Sequence, residues 1–205
     1  MTLAALTAIY FVHLAAAMSP GPAVLLAART GLRDGFQRGI WLALGIGLGA
    51  VIWAAAALFG LALVFKIAPA LLTTLKIAGA AYLLWLAYKM WRHADDPMDD
   101  EIPDLPRTRS APRLIWLGIS TQLANPKPAV FFGTVFLTFI PPSAPAWAYV
   151  AILGIVMFND AGWNVIVARI FSLEKTRAAY LNLKTVIERC FGGLLALLGL
   201  KLALS

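Results

Sequence analysis

Two charged side chains inside long apolar segments are the residues of this sequence with the most evident chemical capacity. Lys127 and Asp160 each lie well within a stretch that is long enough to cross a bilayer. A charge at the centre of a membrane is costly, so it usually faces the protein interior and serves a function. A lysine there can bind an anionic group, and an aspartate can bind a cation or exchange a proton. The sequence also allows a purely structural ion pair between Lys127 and Asp160.

The depth of these groups follows from their distance along the chain to flanking basic residues. In a helix that rises about 1.5 Å per residue, Asp160 lies about 13 Å from Arg169, and Lys127 lies about 21 Å from the arginine that precedes its segment. Both positions are near the middle of a layer about 30 Å thick. His13 is about 24 Å from Arg29 and is therefore predicted to lie nearer the opposite membrane surface. Its imidazole can relay a proton, or stay neutral and donate one interhelical hydrogen bond.

Two breaks flanked by prolines interrupt the apolar segments at corresponding places in the two halves of the chain. A single proline would merely kink a membrane helix, because neighbouring helices and waters satisfy the freed backbone groups. Paired breaks in matching segments instead predict a transporter whose binding site lies at the breaks, near the membrane midplane. The candidate binding residues are Ser19, Pro20, Gly21 and Pro22 in the first break and Asn125, Pro126, Lys127 and Pro128 in the second.

The composition requires a membrane around most of the chain. Of the 205 residues, 61% are hydrophobic and only 13% are charged, whereas a soluble domain has about 25% charged residues. Residues 1–28 and 39–65 contain no charged side chain, and about 20 apolar residues suffice to cross a bilayer. The sequence therefore predicts a multi-pass membrane protein with six spans near residues 4–28, 39–65, 69–90, 114–140, 146–168 and 187–204.

The basic residues predict the orientation of these spans. Thirteen of the 17 lysines and arginines lie in or beside the loops that follow spans one, three and five. Because cytoplasmic loops carry the excess of basic residues, both termini are predicted to lie outside. The net charge of +7 is thus explained by topology and gives no indication of nucleic-acid binding. A short interfacial helix is predicted over residues 172–185.

The chain divides into two halves around a hydrophilic cytoplasmic linker at residues 92–112. The linker is acidic but lacks the ligand spacing of a calcium-binding loop, so no metal site is predicted. Residues 1–91 and 113–205 each contain three spans, and an odd number makes the second half cross in the opposite sense. The predicted fold is therefore all-α, with two inverted three-helix repeats and with spans one and four broken. Gly45 and Gly49 predict close helix packing rather than a nucleotide-binding loop.

Several short motifs are spread over essentially the whole chain. The first break contains Pro-Gly-Pro, and the second begins with Asn-Pro-Lys; further motifs are Lys76-x-x-Gly79-Ala80-Ala81-Tyr82-Leu83 and Gly192-Gly193. These residues resemble the signatures of the lysine-exporter (LysE/RhtB) family, although Pro128 departs from the small residue expected after Asn-Pro-Lys. The resemblance implies a proton-motive-force-driven exporter of amino acids or close derivatives in the cytoplasmic (inner) membrane, without a cofactor. It also allows a homodimer through the glycine-rich helix faces.

An amino-acid substrate assigns roles to these residues. Lys127 and the helix starts after each break can bind its carboxylate, because both are electropositive. Asp160, together with Asn159 and Asn164 or with backbone carbonyls freed at the breaks, can bind its ammonium group. Asp160 is predicted to be the only carboxylate within a span. Asp160 and His13 are therefore the candidates for proton coupling.

Two other function classes stay open at this stage, a membrane-embedded enzyme and a passive channel or scaffold. The sequence contains neither His-Glu-x-x-His nor Gly-x-Ser-x-Gly, so the chain is predicted not to be an enzyme. An inverted repeat with broken spans favours a carrier over a channel. The chain also has no Walker A motif, so transport driven by ATP would need a partner protein.

Overall fold

The computed structural model describes residues 1–19, 21–67, 71–95, 110–141 and 143–204. The predicted all-α fold is confirmed for these residues, which form helices and no strand. Pro20 and residues 96–109 of the predicted linker lie outside the described residues. The helices are α1 (Leu3–Met18), α2 (Pro22–Asp34), α3 (Phe36–Ile67), α4 (Leu71–Arg92), α5 (Ala111–Ala124), α6 (Pro126–Phe139), α7 (Ala146–Phe171) and α8 (Glu174–Ala203).

The helices follow the six predicted apolar segments. The first segment is divided between α1 and α2, the fourth is divided between α5 and α6, and the other four are single helices. Within the described residues, Phe36–Gly60 and Ala146–Phe171 are each long and apolar enough to cross a membrane. The pair α1 and α2, whose axes are bent by 62°, gives a third crossing if it counts as one span. The number of six spans stays a prediction.

The first helix break separates α1 from α2. Helix α1 ends at Met18, and α2 begins at Pro22. Proline is suited to the first position of a helix, because its missing N–H would have no intrahelical acceptor there and its φ angle is already helical. Gly21 precedes it in an extended conformation. The chain can therefore turn between Met18 and Pro22 and start a new helix in another direction.

The second break is much shorter than the sequence predicted. Asn125 alone lies between α5 and α6, and its side-chain Oδ1 accepts a hydrogen bond of 3.0 Å from the backbone N–H of Lys127. This is the usual cap of a helix N-terminus. Helix α6 begins at Pro126, so Lys127 and Pro128 lie in its first turn. The expectation that residues 125–128 are unwound as a whole is wrong, because proline starts a helix as readily as it interrupts one.

Helix α3 lies at the centre of the fold and packs mainly against α5 and α7. A Cβ atom on Gly45 would clash with the backbone of Ile115, and one on Gly49 would lie 2.7 Å from the Cβ of Gln122. The predicted close packing at Gly45 and Gly49 is thus confirmed, and it joins α3 to α5. Because this glycine-rich face is used within the chain, a homodimer would need another surface and stays a prediction.

The apolar core on one side of α3 joins it to α1, α6 and α7. Its largest members are almost completely inaccessible: Ile9, Phe132, Phe136 and Ile152 are each at most 2% exposed. The phenylalanines come from α6, directly after the second break. This packing fixes the start of α6 against α1, and hence brings the two breaks to the same region of the molecule.

Helix α8 is continuous from Glu174 to Ala203, so the separate interfacial helix predicted over residues 172–185 is wrong. Buried groups about three and four turns into the helix hold this region against the rest of the fold. Lys184 Nζ donates to the carbonyl oxygen of Ala94 at 3.1 Å and lies 2.7 Å from Glu188 Oε1. The ion pair has the i, i+4 spacing that only a helix provides.

Glu188 also corrects a second expectation. It falls within the predicted sixth span and is only 5% exposed. Asp160 is therefore not the only carboxylate within the apolar segments. The sequence prediction overlooked Glu188, which lies at the edge of the predicted span directly before Arg189.

Candidate functional site

The two helix breaks line one cavity. Ser19 and Gly21 contribute from the first break, and Asn125, Lys127 and Pro128 contribute from the second. The cavity has a volume of about 40 Å³, which accommodates about three water molecules at roughly 10–15 Å³ each. Two breaks that are more than 100 residues apart in the sequence therefore share one small polar space.

Side chains from α1, α5, α6 and α7 complete this cavity. Of the residues predicted from the sequence outside the breaks, His13, Asp160 and Asn164 line it, whereas Asn159 is not among the lining residues that the structure describes. Pro22 opens helix α2 and is not among the lining residues that the structure describes, and Pro126 opens helix α6. The remaining walls are Ala16, Ala17, Ala23, Val24, Gln122, Phe131 and Phe132.

A buried contact between the side chains of His13 and Asp160 forms one side of the cavity. The two side chains are 4% and 8% exposed, and Nε2 of the imidazole lies 3.0 Å from Oδ2 of the carboxylate. The prediction that His13 lies at a different depth from Asp160 is therefore wrong. The depth of His13 was calculated from Arg29 along a straight helix, and the bend after Met18 makes that distance invalid.

The ring of His13 is held by α6 and α7. It stacks on Phe132 with 5.2 Å between the ring centres. Nδ2 of Asn159 lies 3.2 Å from His13 Nδ1 and also donates to the carbonyl oxygen of Tyr10 at 3.0 Å. When Asn159 donates to Nδ1, the imidazole proton must sit on Nε2 and point to Asp160. Nε2 is then the donor to Asp160 Oδ2, and Asn159 orients the imidazole ring.

The second oxygen of Asp160 faces an amide that the sequence analysis missed. Gln122 Nε2 donates to Asp160 Oδ1 at 3.3 Å. Asn164, one turn after Asp160 on α7, donates from Nδ2 to the backbone oxygen of Asp160 at 2.8 Å. The amide oxygens of Gln122 and Asn164 are buried and have no partner among the described residues. A buried acceptor without a donor costs free energy, so a donor that reached either oxygen would be stabilising.

Lys127 connects the two breaks across the cavity. Its Nζ donates to the carbonyl oxygens of Ala16 at 2.9 Å and of Ser19 at 3.3 Å. These oxygens belong to the C-terminal end of α1, where the helix dipole favours a cation. The suggested ion pair with Asp160 is not among the contacts of the described residues, because Lys127 reaches α1 instead and Asp160 is taken up by His13 and Gln122.

One signal in the sequence could have identified Gln122. It is a polar residue in an otherwise apolar span, three positions before Asn125 and thus one turn before the break. Residues at the C-terminal end of a half-helix line the same space as the break itself.

A family model described as "LysE type translocator" matches residues 14–205. This chain belongs to that family. The resemblance noted in the proline and glycine motifs is thus confirmed, and the family is one of translocators rather than enzymes.

Relatives in enteric bacteria match over most of their length. The "Threonine efflux protein" of Salmonella typhi is 33% identical over 95% of this chain and 95% of its own. The "Homoserine/homoserine lactone efflux protein" of Salmonella typhimurium is 30% identical over 91% and 89%. The "Cysteine/O-acetylserine efflux protein" of Salmonella paratyphi A is 32% identical over 80% and 82%. No solved structure matches the chain.

Proposed function

We propose that this protein is a secondary active transporter that exports small neutral amino acids, or close derivatives, across the cytoplasmic membrane in exchange for protons. The observation that carries the proposal is the cavity between the two breaks, which is lined by one cation, Lys127, and by the buried His13–Asp160 pair. A substrate with both a carboxylate and an ammonium group needs partners of both charges. This small space offers both.

The carboxylate of the substrate binds on the Lys127 side. An ammonium group has three N–H donors, and two of those on Lys127 are directed at the carbonyl oxygens of Ala16 and Ser19. The third has no acceptor among the described residues, and we assign it to a ligand in the cavity. The N-terminus of α6, capped by Asn125, adds a favourable dipole for an anion at the same wall. The relatives named for threonine, homoserine and cysteine efflux handle compounds that a small site of this kind suits.

Protons are exchanged at Asp160. The carboxylate is buried, bonded to His13 and Gln122, and it lines the cavity. Its charge therefore acts directly on a bound ammonium group. If a proton neutralises the carboxylate that binds the substrate ammonium, the carrier binds either the proton or the substrate. That competition is what antiport requires.

The fold supports transport through an inverted repeat of six spans. The most extensive helix pairs include α3 with α7 and α4 with α8, which are the second and third elements of residues 1–91 and 113–205. A twofold axis in the membrane plane brings such equivalent elements together. In this arrangement both termini are outside, and the linker at residues 92–112 is in the cytoplasm.

Labelling of single cysteines tests the orientation. A cysteine at Asp99, in the linker, is expected to resist an impermeant thiol reagent in intact cells, whereas one at Ser143 is expected to react. The physical reason is the basic residues that retain the linker on the cytoplasmic side. The background is a Cys190→Ser protein, because Cys190 is exposed. The reverse pattern of labelling would contradict the inverted repeat.

Counterflow in proteoliposomes tests the transport class. Vesicles loaded with unlabelled threonine are expected to take up labelled threonine transiently above equilibrium, since a carrier exchanges its substrate. A channel gives only downhill flux, and an enzyme changes the molecule. Chromatography of the recovered label separates the last case. Absence of counterflow for threonine, homoserine and O-acetylserine alike would refute the proposed substrate class.

A further inference from the structure

Gln122 lies beside the carboxylate of Asp160 and lines the same cavity. Its Nε2 donates to Asp160 Oδ1 at 3.3 Å, while its Oε1 is buried and has no partner among the described residues. The residue is only 4% exposed and lines the cavity. The amide nitrogen of Gln122 thus contacts the proposed proton site, while its amide oxygen is available as a hydrogen-bond acceptor.

The backbone and stem of Gln122 are fixed, so that only its terminal amide is free to turn. Trp53 Nε1 on α3 donates to the backbone oxygen of Gln122 at 3.2 Å. The Cβ and Cγ atoms lie so close to Gly49 that a Cβ there would be 2.7 Å and 3.2 Å away from them. The nitrogen and oxygen of the amide have nearly the same size, so a half-turn of the amide exchanges them without moving a helix.

The cavity offers an ammonium group three acceptors when Asp160 is ionised. They are the Asp160 carboxylate and the two unpaired amide oxygens of Gln122 and Asn164. An ammonium group has three N–H donors and no acceptor. The three acceptors therefore match the three N–H donors of the ammonium group. The two amides supply the acceptors that the carboxylate alone would leave missing.

Protonation of Asp160 changes the hydrogen-bonding group that it requires from Gln122, from a donor to an acceptor. The new carboxyl O–H needs an acceptor, and the Gln122 amide supplies one only if it turns its oxygen towards Asp160. Its NH2 group then faces the cavity and presents a donor to a ligand group that can only donate. A proton on Asp160 thus removes both the negative charge and one acceptor from the ammonium site.

We infer that Gln122 is a specificity-determining residue for proton–substrate exchange: its amide accepts from the substrate ammonium when Asp160 is ionised and accepts from the Asp160 carboxyl group when it is protonated. The inference rests on the proposed antiport. Asn164 does not share this role, because its nitrogen is bound to the backbone oxygen of Asp160, whose hydrogen-bonding capacity does not change with protonation.

Titratable side chains from other helices lie beside Asp160. The titratable groups that line the cavity with it are His13 on α1 and Lys127 on α6. Lys127 is attracted electrostatically by Asp160 and, more weakly, by Glu188 on α8. Helix α2 contributes one alanine and one valine to the lining and α5 contributes the Gln122 amide, while glycines of α3 pack against α5.

Equilibrium binding of labelled threonine to the purified full chain tests the inference. Affinity is measured from about pH 5 to about pH 8, where the ammonium group of threonine stays charged. Wild type is expected to bind more tightly at the high-pH plateau than at the low-pH plateau. Gln122→Met is expected to lower the ratio of the two plateaus by about tenfold or more, since it removes a charge-assisted hydrogen bond from one protonation state only.

Asn164→Leu is the matched variant in the same cavity. It removes an acceptor from both protonation states, so both plateaus are expected to fall by the same factor with an unchanged ratio. Gln122→Asn, which draws the amide back from Asp160 by one methylene group, is expected to lower the ratio as Gln122→Met does and serves if the methionine variant does not fold. Trp163→Phe deletes a buried N–H outside the cavity and controls for general effects of removing a polar atom.

The outcomes separate the inference from the antiport on which it rests. A plateau ratio that both Gln122 variants retain would overturn the inference and leave proton exchange intact, with His13 or Asp160 acting through charge alone. A wild-type affinity that does not change with pH would refute the exchange mechanism itself and the inference with it.

Discussion

Asp160→Asn is expected to abolish export driven by a pH gradient while exchange of substrate across the membrane stays measurable. The amide keeps the shape of the side chain and can bond with His13 and Gln122, but it cannot bind or release a proton. In proteoliposomes, a gradient of one pH unit can support about a tenfold substrate gradient per proton exchanged. The wild-type protein is expected to approach that value, and the variant is expected to show none of it.

The control for this substitution is Asp34→Asn. Asp34 lies outside the cavity, with Oδ1 4.0 Å from Arg38 Nη1, a pair too long and too exposed to contribute much. It is expected to export as the wild type does. Thermal unfolding of the Asp160→Asn protein distinguishes loss of coupling from loss of fold. A folded Asp160→Asn protein that still exports in response to a pH gradient would move coupling to His13 or to the substrate.

The helices and their order could be predicted from the sequence, because each apolar segment is delimited by charges or prolines. The close packing at Gly45 was predictable for a related reason, since a glycine pair at this spacing has few other uses in a membrane helix. Helix α8 was harder to predict. Its first turns are polar in sequence, yet Lys184 and Glu188 neutralise each other there and are buried.

The candidate residues could be predicted from the sequence, but their pairing could not. Lys127, Asp160 and His13 were identified by charge and position, and all three line the cavity. Depth was then calculated along straight helices, which led to the wrong partners. His13 reaches Asp160 because the chain bends after Met18, and Lys127 reaches the end of α1 because α6 begins beside it. Such contacts depend on the directions of the helices, which a hydropathy pattern does not contain.

Lys127→Met is expected to weaken threonine binding by about 30-fold or more, equivalent to about 2 kcal/mol, since it removes the cation that faces the substrate carboxylate. The same change leaves the carbonyl oxygens of Ala16 and Ser19 without their donor. Unsatisfied buried acceptors cost about 1–3 kcal/mol, so a lower unfolding temperature is expected as well. Weaker binding alone therefore does not separate a contact with substrate from a looser fold.

Threoninamide resolves this ambiguity, because it keeps the ammonium group and the side chain but lacks the carboxylate charge. If Lys127 binds that charge, the wild-type protein prefers threonine to threoninamide, and Lys127→Met removes most of the preference. If Lys127 only ties α6 to the end of α1, the variant weakens both compounds by the same factor. Equal losses would therefore assign Lys127 to the architecture of the breaks, and the α6 N-terminus capped by Asn125 would then be the anion site.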